Sequence, residues 1–471
     1  GAKIRFMNNT HDWSTELIPK ALPEFEKLTG IKVQWEVLAE NQFRQKLTLE
    51  LSSNPESVDG FMSLPSWDGM AFYQSGWYEP VEKFLKSPDL TSPDFDFKDF
   101  FPSCVQISTI QNTLVGVPLY PEVQILYYSK EKFQEKKLKV PETFEEFAAA
   151  AEKLYDKNTK YAGYVSRGDG IQAVYTLAPF VFGMGGRWLD EKGRPDLTSD
   201  AFVKALELYG GTLHKYGPPG IAGQTWAQNQ VVFGQGKAGM TSDSSNFIST
   251  YEDPKKSVLV GKVGYAKVPR GPAGNKSTLI SWCLSIGSKS KRKEATWLFI
   301  QWLASKEMVM RQAKMKMPVG RESALKSPEF QASMPKDWLD AFVNQIPTAA
   351  VNGEGKGVGR NFQGLPDILR ALKNYWDPVG WSGIIRGRRV VCEPDGPFFL
   401  SMFYGSKFLE YRERHKEVET MKERNLEETK RFREIPPRPP FVKGGWGGIF
   451  WGKLDSGSGN FSPSFIPFII G

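Results

Sequence analysis

Cysteine and histidine are scarce in this chain of 471 residues, and long apolar runs are missing. Three cysteines, Cys104, Cys283 and Cys392, lie at no ligand spacing, which excludes a disulfide framework and a cysteine metal site. Cys104 and Cys283 read as small buried hydrophobes. Three histidines, His11, His214 and His415, form no metal-binding pair, so neither a metal nor a cofactor is expected. No apolar stretch approaches the roughly 20 residues that a membrane helix needs. The formal net charge is +8, but Lys and Arg are spread rather than striped. Runs such as Lys289–Lys293 read as the start of a solvated helix, so nucleic acid is not expected as a partner. The chain opens on Gly1-Ala2 and a strand, with neither a charged n-region nor an apolar h-region, so any signal peptide is expected to be gone already.

Enzyme signatures are equally thin. Arg270-Gly-Pro-Ala-Gly-Asn-Lys-Ser277 misses a phosphate loop, because Asn275 stands where the glycine before the lysine is needed. Gly353–Gly359 lacks the dinucleotide spacing, and there is no serine elbow or Cys–His nucleophile pair. A glycosidase's two distant carboxylates would leave no local motif, so a carbohydrate-active hydrolase with Glu40 and Glu122 as acid and base stays open as the alternative.

What is present is a strand–helix alternation at a length that favours two domains or more. Ile4 and Phe6 mark a first strand. Leu17, Ile18, Ala21, Leu22, Phe25 and Leu28 form a helical face stopped by Gly30, and Ile31–Val37 alternates as a second strand. A helix from about Asn41 and a strand at Val58–Met62 complete a βαβαβ opening, which implies a parallel sheet covered by helices. Such sheets bind ligands beyond the carboxyl ends of their strands. Asn9–Trp13, Glu40–Asn41 and Ser63–Trp67 are therefore the candidate binding edge. Pro141–Glu146 spells a capping box, with Thr143 and Glu146 starting a helix. Ala162–Val165, Val263–Val268 and Leu279–Ile286 read as strands, and Ala295–Leu303 as a helix.

The stretch Leu114–Lys130 reads as two strands parted by a rigid elbow, since Pro118 and Pro121 remove two amide donors and no ordinary ladder is expected to pass. It is expected to cross between lobes, with Tyr120 and Glu122 facing the cleft. The strand carrying Trp282 would be a second crossover, and Met317–Arg321 a third. The fold expected is α/β, with two discontinuous lobes joined by hinge crossovers that close around a ligand. Lobe one is placed at 1–123 and 283–320, lobe two at 124–282 and 321–376. From 377 to 471 the alternation stops; this irregular C-terminal tail, with Pro436–Pro440 and Gly444–Gly448, is expected to be disordered.

Aromatic rings cluster at the expected edges: Trp13, Trp67, Tyr120 and Trp282. Sugars and polyols present C–H faces to such rings and hydroxyls to carboxylates and guanidinium groups. Glu40, Glu122, Arg167 and Asp243 could supply the polar half, whereas Trp226 and Trp302 read as core packing.

In order and spacing, several segments resemble the bacterial extracytoplasmic solute-binding proteins of sugar ABC importers, over roughly Lys3 to Tyr375. The segments are Phe25–Val33, Gly76–Val81, Gly116–Pro118 with Leu126–Lys130, Phe233–Met240, and the Trp282 strand with its following helix. Within that family Glu40–Gln45, Arg167-Gly168 and Trp282 resemble the branch that binds linear polyols such as mannitol and sorbitol. The resemblance implies a type II periplasmic-binding-protein fold and ligand contacts from Glu40, Arg167 and Trp282. Trp13, Asn41, Ser66, Trp67, Tyr120, Glu122, Asp243, Asn246 and Arg321 complete the expected ligand-binding set. It also implies a monomer in the periplasm or outside the cytoplasm, lipid-anchored or free, that delivers a small sugar or polyol to the transmembrane permease subunits. Three departures stand out. Ile280-Ser281 replaces the branch's usual Gly-Gly, and Ser63–Ser66 lacks an acidic residue. Asn246 stands near where maltodextrin-binding relatives carry a stacking aromatic. The tail resembles nothing in the family and looks like translated intergenic repeat sequence, as after a frameshift; a third reading makes it an interaction module.

Overall fold

The computed structural model describes residues 1–191 and 196–351. The sequence readings on Gly353–Gly359, Cys392, His415 and the tail lie outside them.

The strands are β1 (Lys3–Asn9), β2 (Lys32–Leu38), β3 (Gly60–Ser63), β4 (Tyr78–Glu79), β5 (Thr109–Ile110), β6 (Thr113–Leu114), β7 (Val117–Ser129), β8 (Ala162–Val165), β9 (Ala238–Ser244), β10 (Val263–Lys267), β11 (Ser277–Gly287) and β12 (Ala349–Val351). All but β5 and β6 join one ten-stranded sheet whose main order is β2-β1-β3-β11-β7-β9-β8. The opening forms as the periodicity predicts: β1 runs parallel to both β2 and β3. Helix α1 (Ile18–Thr29) buries Ile18, Ala21 and Phe25 and ends where Gly30 adopts a left-handed φ of 70°. Helix α2 (Glu40–Ser53) follows β2. The helix Phe144–Leu154 starts on the capping box, with Thr143 and Glu146 each bonding the other's backbone.

Two apolar cores share this sheet. One gathers Ile4, Phe6, Phe61, Tyr120, Trp282 and Phe299; the other gathers Val123, Tyr127, Tyr164, Met240, Leu279 and Trp338. Along β7 the core changes between Tyr120 and Val123, and along β11 between Leu279 and Ile280. The two long strands that run through both cores are therefore neighbours, paired antiparallel from Leu279↔Val123 to Leu284↔Val117.

The elbow expected at Pro118–Pro121 is corrected. β7 is one continuous strand of 13 residues through both prolines, paired to β11 at Pro121↔Ser281 and Pro118↔Cys283. Prolines three apart have opposite phase on a regular ladder, so one would sit where a donor is needed. The register shifts between Trp282 and Cys283, and that bulge changes the phase between the two prolines.

A third crossover strand does not form. Met317–Gly320 runs buried without strand structure, and Arg321 only bridges Phe100. Nearby, Met308 and Met317 pack into the first core and Val309, Ala313 and Val319 into the second.

Candidate functional site

Between the cores lies a cavity of about 450 Å³. Its walls come from strand ends, as the sheet topology dictates. Thr10 and His11 follow β1, Glu40 follows β2, Leu64 and Trp67 follow β3, Arg167 follows β8, and Asn246 follows β9. Glu122 on β7 and Trp282 on β11 form the middle, and Trp226 enters from the first turn of the helix Trp226–Gly234.

At the centre the Trp282 Nε1–H donates to Glu122 Oε1 at 2.8 Å. Burial pushes the Glu122 carboxyl above its ordinary range, against the pull of Ser244, Arg167 and the Trp282 indole. Arg167, 6% exposed, donates through Nε to both oxygens of Asp243 at 3.0 and 3.1 Å. Asn229 Nδ2 donates to the same carboxylate at 2.7 Å, and Arg167 lies 4.6 Å over the Tyr175 ring. Burial pulls the guanidinium pKa down, and the Asp243 charge and hydrogen bonds more than offset it.

On the other wall Glu40 accepts from Arg44 Nε at 3.1 Å and Nη2 at 2.9 Å. It also accepts from the Trp226 Nε1–H at 2.9 Å. Trp226 packs against the second core and α2 belongs to the first, so this bond spans the cleft. Arg44 also pairs with Asp68. Burial pushes Glu40 up, yet Arg44, with Arg167 and His11 behind it, brings the carboxyl below its usual range. His11 stacks on Trp226 at 6.2 Å and 14°, and meets the Trp282 ring edge-on at 5.8 Å. Burial lowers the His11 pKa to about 4 despite the nearby Glu40 and Asp12. At the rim Lys256 Nζ reaches Asp12 Oδ1 at 2.8 Å, a second bond across the cleft.

The cavity-lining atoms His11 Nε2, Trp67 Nε1 and Asn246 Oδ1 are buried and find no hydrogen-bond partner among the described residues. Buried polar atoms are rarely left so in a finished interior.

Six expected residues, Glu40, Trp67, Glu122, Arg167, Asn246 and Trp282, line the cavity. Four others stand off it. Asp243 is fully buried behind Arg167, Tyr120 is fully buried with its ring edge toward His11, and Ser66 is buried in the turn that carries Trp67. Asn41 points to solvent on α2. Two placements are corrected. Trp13 is fully buried and packs edge-on to Trp35 in the first core, because the chain turns inward there before α1. Arg321, also fully buried, donates to the backbone carbonyls of Ala304, Phe95 and Asp96 and pairs with Asp99. It ties three segments of the first core together and is not among the residues that line the cleft cavity.

The sequence marks neither His11 nor Arg44 as a site residue, and Trp226, which reads as core packing, also lines the cavity. A signal for Arg44 existed: it stands four residues after Glu40 on one helix, the spacing of an ion pair. Asp68 also supplies, two residues later, the acid missing from Ser63–Ser66.

A family model for bacterial extracellular solute-binding proteins matches residues 9–310. A mannitol-binding protein of Pseudomonas aeruginosa is 29% identical over 66% of this chain and 71% of its own length. An erythritol/L-threitol-binding protein of Mycolicibacterium smegmatis is 28% identical over 65% of this chain and 67% of its own. A crystal structure of an ABC transporter solute-binding protein from Agrobacterium radiobacter in complex with ribitol superposes with a TM-score of 0.70 at 26% identity. That match covers 83% of this chain and 95% of the other.

Proposed function

The chain belongs to the bacterial extracellular solute-binding proteins, and from that premise we propose that it is the substrate-binding component of a sugar or polyol ABC importer. It captures a small neutral polyol or monosaccharide by closing its two lobes outside the cytoplasm, then delivers it as a monomer to the transmembrane permease. The relatives that bind mannitol, erythritol, threitol and ribitol support the ligand class.

The observation that carries this reading is the pairing of aromatic walls with unsatisfied polar atoms in one cavity. Trp67, Trp226 and Trp282 offer faces to C–H groups, while His11 Nε2, Trp67 Nε1 and Asn246 Oδ1 await hydroxyl partners. Glu40, Glu122 and Arg167 supply the remaining polar contacts, and Asp243, Tyr120 and Ser66 support them from behind. Both cleft carboxylates accept an indole N–H, which suits fixed acceptors for hydroxyl groups better than a hydrolytic acid–base pair. A lipid anchor before processing accords with the same role.

The test is titration calorimetry and thermal melting with D-mannitol, ribitol, erythritol, D-glucose, maltose and a neutral amino acid. Micromolar or tighter binding of a polyol or monosaccharide is expected, with a raised melting temperature. Binding of the amino acid alone, or of none, sinks the reading. Turnover of a chromogenic glycoside, lost in Glu122→Gln, would favour the hydrolase instead.

A further inference from the structure

We propose that Arg44 is the positioning residue of the cleft, fixing the Glu40 carboxylate and the planes of Trp67 and Trp282 that receive the ligand. This rests on the binding function proposed above and goes beyond it, because Arg44 stands behind the residues that line the cavity.

Every part of the Arg44 guanidinium is used. Its Nε and Nη2 both donate to Glu40 Oε1, and its Nη1 pairs with Asp68. Its carbon lies 4.8 Å from the Trp67 ring centroid and 5.6 Å from that of Trp282. A planar cation can saturate two carboxylates with its edge while two indoles rest near its faces; a lysine ammonium supplies the charge without the fork. Trp67 arrives on the turn after β3, Trp282 on the neighbouring strand β11, paired at Cys283↔Ser63, and Glu40 on α2; the sheet places the two strands, and the orientation of the side chains is left to their contacts. Arg44 is their common contact. Through Glu40 it also governs the acceptor onto which Trp226 closes.

The titratable groups around Glu40 are Arg44, Arg167, His11, Asp68, Glu122 and Tyr120. Burial pushes Glu40 up, and Arg44 is the foremost of the groups that pull it down. Without Arg44 the buried carboxyl takes up a proton at higher pH. In the wild type Glu40 contributes stability above its ordinary pKa, lost as pH falls; in Arg44→Met its contribution is lost as pH rises.

The experiment compares wild type, Arg44→Met, Arg44→Lys and Arg44→Met/Glu40→Gln. Ligand-free melting is followed from pH 5 to 8, together with calorimetry against D-mannitol and ribitol. We expect the melting-temperature gap between wild type and Arg44→Met to widen as pH rises, and Glu40→Gln to reduce it, the remainder coming from Asp68, which loses the same partner. At pH 7 Arg44→Met should weaken binding about 10- to 100-fold, since a buried charge has lost its partner. Its affinity should also become proton-linked. Arg44→Lys should keep a flat pH profile and bind several-fold more weakly, and it stands in if Arg44→Met does not fold. The proposal is overturned by a melting gap constant with pH, by pH dependence that Glu40→Gln leaves undiminished, or by Arg44→Lys binding as tightly as wild type. If the wild type binds neither probe, the proposed function loses its support, while the ligand-free melting gap still decides what Arg44 does for Glu40.

Discussion

Single side chains in the cleft carry opposite pH signatures, and these separate their roles. Burial raises the Glu122 carboxyl, so the stability it lends is present at low pH and lost as pH rises. Glu122→Gln keeps a partner for the Trp282 indole without a charge to bury. Its melting temperature should therefore gain on the wild type between pH 5 and 8. Glu122→Ala leaves that indole N–H unpaired and should cost about 1–3 kcal/mol, with weaker ligand binding and both lobes folded. Global unfolding of Glu122→Ala would make the residue structural. His11 runs the other way. Its pKa falls from 6.5 to about 4, so its contribution is complete above about pH 6.5 and fades as pH drops toward 4. The full shift corresponds to at most about 3 kcal/mol. Because His11 sits between Trp226 and Trp282 across the cleft, we expect that loss to appear as weaker binding at pH 5 than at pH 7. His11→Gln should show a flatter profile; an unchanged profile would separate His11 from closure. Arg321 tests the corrected placement. Arg321→Met leaves the carbonyls of Ala304, Phe95 and Asp96 without their donor and should cost about 3–5 kcal/mol. The fraction that folds should bind ligand with wild-type affinity, measured by calorimetry below the melting range.

Elements were legible from the sequence wherever one local rule decided them. The helix Phe144–Leu154 follows from Thr143 and Glu146, and β8 from its short apolar run bounded by turns. β7 was not, because local proline chemistry said break while a bulge at Leu119, between the two prolines, restored the phase of the ladder. That bulge shows only against the register of β11, whose pairing residues lie some 160 positions along the chain. The site divides the same way. Glu40, Trp67 and Arg167 follow strands and could be placed from topology alone. Trp226 reads as the apolar start of a helix, and only the packing of two lobes brings its indole to Glu40. Element packing is tight enough to test directly. A Cβ on Gly163 in β8 would sit 1.8 Å from the Ala151 carbonyl oxygen of the helix Phe144–Leu154. Gly163→Ala should therefore cost at least about 1–3 kcal/mol. Hydrogen exchange should localise the damage to the second core. Equal loosening of β1–β3 would mean that the two cores do not unfold separately.

At the scale of the molecule, closure is an equilibrium that both lobes bias, and a ligand can shift it only by binding the closed form better. Among the described residues two hydrogen bonds span the cleft: Trp226 to Glu40 at 2.9 Å and Lys256 to Asp12 at 2.8 Å. The second lies at the rim with both side chains about a third exposed, so solvent and salt leave it little weight. The first is enclosed, and its acceptor is an ionised carboxylate, so it should dominate. Trp226→Phe removes the donor and keeps a ring to stack on His11. If the bond holds the ligand-free protein closed, this substitution shifts the population toward the open form. Its radius of gyration in small-angle scattering should then rise without ligand and return to the wild-type value at saturation. Apparent affinity should fall by the same factor as the closed fraction. A bond worth about 1.5–3 kcal/mol sets an upper limit of about 10- to 100-fold on that loss. Lys256→Ala should change affinity less than threefold, and that small effect should vanish at high salt. Should Trp226→Phe instead bind normally with an unchanged ligand-free radius, the indole is only a wall of the cavity, and closure draws its energy from the ligand alone.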